Sequence, residues 1–402
     1  MTDRKVVLTR YADALEAYQR RDLRQAQYDE GAVIMADVLV NLHGEAHRDR
    51  RRIENRLFRR ETFEHYEQKV FPGVVDDALR PWVAAGAAEL VGVGHRIMLH
   101  LATLVAGVDW TPSDPEQSAR LERHLHLFIE ALTMQQSKLD RDARKQAVGQ
   151  ALADWAAEFF EPSRRRRVEL LGRFAAGGTP ESELPRDVLT TLLRYQGELD
   201  LSDDVLRRET AFFLLVASHT SATALVRVVH RALDWIADDP DRAERMRTDS
   251  FLMQRCVHET IRLNSSSPVG MRRALAPVTL RSGVHIPEGA TVVIDLGSVN
   301  RDPAVYGPDA DRFDPDRAVP RTASPYGLSF AAGMHVCIGQ DLAAGVVPRS
   351  GATPDSHLFG LVACAAKRLF RLGVRRDPAD PPTRDATTER LYWARYPVLL
   401  DA

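Results

Sequence analysis

The sequence predicts a mainly α-helical protein with a small β portion near its C-terminal third. Three observations carry that reading. Before Leu263, apolar residues recur mostly every three or four positions, the period of a helix with one buried face. Within that region Asp203–Ile236 is one long helical stretch, opened by Ser202-Asp203-Asp204, good N-cap chemistry, and closed near Asp238-Asp239-Pro240. At Val278–Val293 the character changes to short β-branched runs broken by Ser282-Gly283 and Pro287-Glu288-Gly289, which predicts a hairpin or small sheet.

Taken in order, Ala12–Arg24 and Arg48–Glu64 read as charged helices. Ala84–Ala106 is more apolar, but Glu89, His95, Arg96 and His100 interrupt it, so helices in a core are expected and not a membrane span. Asp114–Phe174 keeps an amphipathic helical pattern until Gly177-Gly178-Thr179-Pro180 signals a loop. A helix is expected from Asp241 to Leu263, then mostly loop from Asn300 to Gly339. A helix over His357–Leu372 and a terminal strand over Tyr392–Leu400 complete the chain. No repeat or low-complexity segment divides it, so residues 1–402 read as one domain.

At 402 residues and 44% hydrophobic, the chain can bury a sizeable core. A net charge of -2 gives no basic field for nucleic acid. Cys256, Cys337 and Cys364 are too few and too scattered for a disulfide framework, and no zinc spacing occurs. Met1–Tyr11 holds no signal-peptide core, and no run of about 18 apolar residues could span a bilayer. The expectation is a cytoplasmic protein with neither nucleic acid nor membrane as partner.

Chemistry concentrates around Cys337. Gly333 and Gly339 bracket the cysteine and allow the backbone close to a flat ligand or into positive φ. An apolar run follows, which places the thiol just before a helix N-terminus, where the dipole and free N–H groups favour thiolate. By itself, a lone cysteine in a Gly-rich turn reads as a buried structural residue. Here, however, Phe330-x-x-Gly333-x-His335-x-Cys337-x-Gly339-x-x-Leu342-Ala343 resembles the haem-binding signature of the cytochromes P450 at each of those positions. Ala331 departs from it, since the family usually has glycine there.

Three further segments resemble the same family. Glu259-Thr-Ile-Arg262 matches its Glu-x-x-Arg, whose spacing puts carboxylate and guanidinium on one helix face. Asn300-Arg-Asp-Pro303, with Phe313-Asp314, looks like the family's meander, and Arg317 would be the third partner of that network. His47-x-x-x-Arg51 and Arg272-Arg273-Ala274 match positions that bind the haem propionates, two carboxylates that need charge-assisted donors when buried. Alone, His47 and Arg51 would read as part of a solvated basic helix, since Arg48, Arg50 and Arg52 surround them.

The resemblance implies the cytochrome P450 fold, a triangular helical domain plus a small β-rich region, carrying haem b (iron protoporphyrin IX). Cys337 would be the axial iron ligand. His47, Arg51, Arg272 and His335 would serve the propionates, Phe330, Gly333 and Gly339 would shape the loop, and Ala217 would lie over the haem. The implied activity is a monooxygenase-like oxidation of a small lipophilic secondary metabolite, with electrons from a ferredoxin and its reductase. Pocket walls would come from the segment between Asp29 and His43, from Asp114–Lys138 and from Ser265–Met271. Ser265-Ser266-Ser267 reads either as a polar contact near the iron or as turn formers before a proline.

Two departures bear on mechanism. The family's central helix carries an acid and an alcohol that relay protons to dioxygen, beside a local bulge. The matching segment here is Ala217-Ser218-His219-Thr220-Ser221. Without a gap Thr220 takes the acid position and Ser221 the alcohol position; with one residue deleted, His219-Thr220 closes over the missing acid, and the bulge should be lost. In either register the carboxylate is gone. Thr220 or Ser221 could still donate a hydrogen bond, and His219 could carry protons if it points at the haem; the plainer alternative is a histidine facing away. Without a relay the expected alternatives are peroxide use or a reaction that needs no dioxygen, such as isomerisation or nitrene-type transfer. Loss of catalysis, leaving an accessory protein, is a third reading, opposed by the intact cysteine. The second departure is Gly345–Ser356, whose prolines and glycines predict a very short helix after Cys337, then a loop, then a helix from about Ser356. That loop would lie near the face where redox partners dock in this family.

Overall fold

A computed structural model describes residues 4–134, 138, 140–388, 390 and 392–401. β1 (Lys5–Leu8), α1 (Tyr11–Gln19) and β2 (Leu23–Gln25) lead into α2 (Ala32–Met35), α3 (Gly44–Glu54), α4 (Arg60–Glu64) and α5 (Phe71–Ala85). Then come β3 (Ala87–Glu89), α6 (Leu90–Ala106), α7 (Pro115–Thr133), α8 (Arg141–Trp155), α9 (Glu161–Ala175) and α10 (Val188–Arg194). α11 (Asp203–Ala237) is followed by α12 (Arg242–Thr248), α13 (Ser250–Leu263), β4 (Val269–Ala274), β5 (Val278–Thr279), β6 (His285–Ile286) and β7 (Thr291–Asp295). The rest comprises α14 (Leu296–Val299), α15 (Pro303–Tyr306), α16 (Gln340–Ala344), α17 (Leu361–Arg371), β8 (Arg375–Arg376), β9 (Thr383–Arg384), β10 (Trp393–Arg395) and β11 (Pro397–Leu399).

α11 is the axis of the molecule. Ser202 Oγ accepts from the Val205 N–H at 3.2 Å, and Asp203 and Asp204 complement the dipole in the first turn. No Gly or Pro interrupts it, and it stays α-helical for all 35 residues, with no bulge near Ala217–Ser221. It is long and apolar enough to cross a membrane, but 78% of its apolar window is buried, the mark of a core helix. α6 packs along it, closely enough at Gly94 that an added Cβ would lie 3.5 Å from the Ala222 carbonyl oxygen.

Two apolar clusters divide the interior. The larger surrounds α11 with residues of α6, α13 and α17; the smaller joins α1 to the four-stranded sheet through Tyr11, Tyr18, Leu23, Val292 and Ile294. That sheet has the order β1-β7-β4-β2, with β1 parallel to β7 and the other pairs antiparallel. β3, β11 and β8 form a second sheet, and β5-β6 and β10-β9 are two-stranded.

The structure breaks several expected elements at identifiable residues. The first helix stops at Gln19, and Leu23 and Arg24 are strand, paired with β4. The helix expected over Arg48–Glu64 is interrupted between Glu54 and Arg60, and the one expected from Ala84 is split by Gly86, left-handed at φ 66, ahead of β3. The stretch from Asp241 to Leu263 is two helices because Asp249 leaves helical geometry and its carboxylate caps α13 through the Leu252 N–H at 2.9 Å. α17 begins at Leu361 and not near Ser356, because the Phe359 and Gly360 N–H groups donate to Glu67, and Gly360 at φ 85 turns the chain. The terminal strand is two short strands in different sheets. α16, by contrast, is as short as expected, five residues.

Candidate functional site

The Cys337 loop is fixed from below by polar bonds that its own sequence supplies. Asn300 Oδ1 accepts from the Leu328 N–H at 2.8 Å, and its Nδ2 donates to the Arg262 carbonyl and to Ser329 Oγ. Ser329 Oγ donates to the Ile261 carbonyl, and the Cys337 N–H to the Phe330 carbonyl at 2.9 Å. Gly333 sits at φ 69, and an added Cβ there would lie 2.5 Å from the Tyr18 carbonyl oxygen, so only glycine fits. Gly339 differs: its φ is -93 with no close neighbour, and its role is to donate its N–H to the Cys337 sulfur. Ala331, where glycine was expected, occupies the left-handed region at φ 58.

Beneath this loop the expected charge network is present. Arg262 holds Glu259 through two bonds of 2.6 Å and donates to the Asn300 and Ala310 carbonyls. Arg317 Nε reaches Glu259 at 3.2 Å, as the third partner. Glu259 and Arg262 are buried and mutually satisfied, so this is a brace and not a solvated pair.

The Cys337 side chain is exposed by surface area, yet enough protein surrounds it that burial pushes its thiol pKa up. A residue that is both lines an interior cleft. The Gly339 N–H and Arg51 pull the pKa back without overcoming burial, so the expected thiolate bias of the loop is outweighed. A bound metal ion is what deprotonates a thiol held this way.

Four cationic or cation-capable residues converge beside the cysteine. The His47 and His335 rings are 4.4 Å apart, and Arg51 and Arg272 both act on His335. Arg272, 3% exposed, stacks 4.7 Å over Tyr18 and donates to Gln25 Oε1. Burial first and positive neighbours second push His47 down to about 4 and His335 down to about 2. No carboxylate figures among the influences on His47, His335 or Arg272, and His335 Nε2 is buried without a partner. Arg51 alone feels an acid, Glu54 of its own helix. Donors gathered with so little carboxylate of their own suit a ligand bearing two carboxylates, so the residues present fit a haem. α3, which carries His47 and Arg51, is tied to α11 by the buried Arg50–Glu209 pair at 2.6 Å.

Across the cleft, Val216, Ala217 and Thr220 form a partly accessible stripe in the mostly buried middle of α11. Val216 and Ala217 pack against the same apolar cluster as Phe330 and Ile338. Thr220 Oγ1 bonds back to the Val216 carbonyl at 2.8 Å, and Ser221 is buried. His219 points elsewhere: it stacks against His95 and meets the Tyr392 hydroxyl at 3.2 Å, away from the Cys337 group. Ser265, Ser266 and Ser267 bond to Ser329, the Thr220 carbonyl and the Val269 carbonyl, which makes them structural ties. Residues 135–137 of the expected pocket wall lie outside the described residues.

The loop after α16 is strapped to α13. Gln254 Nε2 donates to the Ala344 and Val346 carbonyls, and His258 Nε2 contacts the Ala344 carbonyl at 2.9 Å. Val347, Pro348, Arg349, Gly351 and Ala352 then line a cavity of about 560 Å³ with Arg255, Glu259 and Arg317. Sequence reasoning missed Tyr28, which senses both Cys337 and Tyr392, and the contacts of His126, Arg390 and Tyr392. The one usable signal was His95, a polar interruption in an apolar helix.

Comparison with known proteins agrees with this geometry. A family profile described as Cytochrome P450 matches residues 139–345, just over half of the chain. A putative cytochrome P450 126 of Mycobacterium tuberculosis is 38% identical over 108 residues, which cover 27% of this chain and 24% of that protein. The chain therefore aligns with only about a quarter of that relative's length. Among solved structures, CalO2 aligns with a TM-score of 0.74 at 21% identity, covering 98% of this chain and 90% of that one. P450BioI, solved with an acyl carrier protein ligated to hexadec-9Z-enoic acid, aligns at 0.72 and 17% identity, covering 98% and 92%. With the thiol loop, its buried brace and the matched profile all in agreement, the chain belongs to the cytochrome P450 family, whose cofactor is haem.

Proposed function

We propose that the protein is a haem-thiolate oxidoreductase of the monooxygenase type. In this reading it works in the cytoplasm as one domain over residues 1–402, on a small lipophilic substrate of the secondary-metabolite kind. The observation that carries it is the pairing of Cys337, at an interior cleft, with the cationic group of His47, His335, Arg51 and Arg272, in which only Arg51 feels a carboxylate, that of Glu54. Haem b held by a thiolate supplies oxidative chemistry, since the sulfur pushes electron density toward O–O cleavage. The chain's own residues do the rest. Cys337 ligates, Gly339 donates to the sulfur, the cationic group neutralises the propionates, and Ala217 and Thr220 border the substrate side. A ferredoxin and its reductase are the electron donors in this reading.

A specific observation favours a second reading, in which the same residues serve a reaction without the usual dioxygen activation. α11 carries no acid beside Thr220 and no bulge, and Thr220 Oγ1 is already spent on the Val216 carbonyl. The accessory-protein reading has no comparable support, because the thiol loop and its cationic group are complete. The test is turnover of a lipophilic compound that shifts the Soret band of the haem-loaded protein, under three supplies: ferredoxin, reductase and dioxygen; hydrogen peroxide alone; and neither, under argon. Product only in the first supports the monooxygenase. Product in the second or third replaces it with the alternative, and none in any, with haem bound, overturns both.

A further inference from the structure

A second site with polar groups lies along α11. A cavity of about 330 Å³ opens between α6, α7, α11 and the chain around residues 385–394, and three histidines from three helices meet along it. His126 of α7 is exposed, His95 of α6 is half-buried and His219 of α11 is buried. The ring centroids are 5.8 Å apart from His126 to His95 and 5.9 Å from His95 to His219. His219 Nε2 then lies 3.2 Å from the Tyr392 hydroxyl. That hydroxyl accepts from Arg390 at 2.7 Å and lies 3.4 Å from the Ser266 carbonyl, whose own side chain reaches the Thr220 carbonyl.

A histidine placed in a core for packing alone normally has its polar atoms bonded. Here the Nδ1 atoms of both His95 and His219 are buried without a partner. Among the described residues no group has the arrangement to hold a metal. The polar walls and the volume suit water, whose share of liquid volume is about 30 Å³, and rings at this spacing are within reach of one bridging molecule. The charges facing the row are the Glu130–Arg144 pair of α7 and α8, Arg227 of α11, and Asp385 and Arg390 of the C-terminal segment. Burial first, and neighbouring positive groups second, leave His95 and His219 neutral, with one N–H and one lone pair each, the form that can take a proton at one nitrogen while releasing another.

We propose that His126, His95 and His219 form a proton path from the protein surface to Tyr392, beside the Thr220 turn of α11. A proton enters from solvent at His126. His126 Nδ1 is held by the Glu122 carbonyl at 2.8 Å, so the proton is taken up and released at its Nε2. His95 and His219, directly or through one water, each gain a proton at one nitrogen and lose one from the other. Tyr392 Oη takes the proton from His219 as it releases its own O–H proton to a water beside the Thr220 turn. One proton moves inward, only N–H and O–H bonds are exchanged, and no oxidant or reductant is needed. The path rests on the haem-thiolate reading for what the proton serves, a substitute for the missing carboxylate, but not for its existence.

The experiment uses ring-15N-histidine-labelled protein in the ferrous carbon monoxide form, which is diamagnetic, and reads the exchange of the His219 ring N–H with water. The optical spectrum of the same sample reports thiolate-bound haem separately. Wild type should exchange fast despite the burial of His219, and His95→Phe should slow that exchange by about tenfold or more. Tyr392→Phe, beyond the ring that is read, should leave entry from the surface unchanged. If His95→Phe does not fold, His126→Phe on the exposed face of α7 makes the same comparison. Slow exchange in wild type, or equal exchange with and without the intervening histidines, overturns the path. An altered spectrum with the slowing intact supports the path and rejects the haem reading alone.

Discussion

Below Cys337 the chain is held by side chains drawn from one C-terminal stretch, residues 259–329, and bonded to one another or to the loop backbone, whereas above the cleft α11 departs from its family and meets groups from both halves of the chain. The lower side uses Glu259, Arg262, Asn300, Arg317 and Ser329, each bonded to a loop backbone or to one another. The upper side leaves Nδ1 of His95 and His219, and Ser218 Oγ, unpartnered. The contrast separates holding the cofactor, which tolerates little change, from supplying protons and shaping the substrate space, where this chain has diverged.

The sharpest way to break that contrast is at the brace. Arg262→Ala removes the two shortest bonds to buried Glu259, leaving it only Arg317 and the Asp314 N–H, and frees two carbonyls, so urea unfolding should show a loss of about 3–5 kcal/mol, or no folded protein. A loss below about 1 kcal/mol would mean the lower side is not built as described. Gly333→Ala should follow, destabilising by about 1–3 kcal/mol through its left-handed backbone and the Tyr18 carbonyl, with a matching loss of haem occupancy.

His335→Leu should separate holding the cofactor from holding the fold. It removes an imidazole whose Nε2 has no partner, so the haem-free protein should keep its stability, while haem affinity falls about 10- to 100-fold, the value of a hydrogen bond to a charged group. Equal affinity in a competition titration with apomyoglobin would remove His335 from the propionate group.

The brace side also predicts a pH dependence. Buried His258 is pushed down to about 4, below its unfolded value near 6.5, so it is neutral when folded and charged when unfolded between those two values. Its contribution is therefore complete above about pH 6.5 and is lost as pH falls toward about 4, at about 1.4 kcal/mol per pH unit. His258→Gln should flatten the pH dependence of unfolding by that slope, and an unchanged slope would contradict the assignment. The smallest effect is expected at Ala331, where Ala331→Gly should stabilise by about 0.5–1 kcal/mol by relieving a left-handed alanine.

How much of this was legible follows the same division. Gly333, His335, Cys337, Glu259, Arg262 and Arg317 occupy fixed spacings because a loop around one sulfur tolerates only certain backbones, and such constraints leave a local signature. The end of α1 and the late start of α17 were not legible, since a β4 partner and the Glu67 carboxylate decide them from far along the chain. The face of His219 could not be read either, because the middle of α11 is buried almost all round and its periodicity there does not mark a direction. The His126–His95–His219 row depends on the packing of three helices, which no single segment encodes.

Thiolate ligation by Cys337 is read from the carbon monoxide difference spectrum of the reduced protein, with wild type beside Cys337→Ala. A Soret band near about 450 nm in wild type, lost in the variant, is the predicted result and establishes thiolate ligation through Cys337. Absence of bound haem, or a band near about 420 nm in freshly prepared wild type, would contradict it.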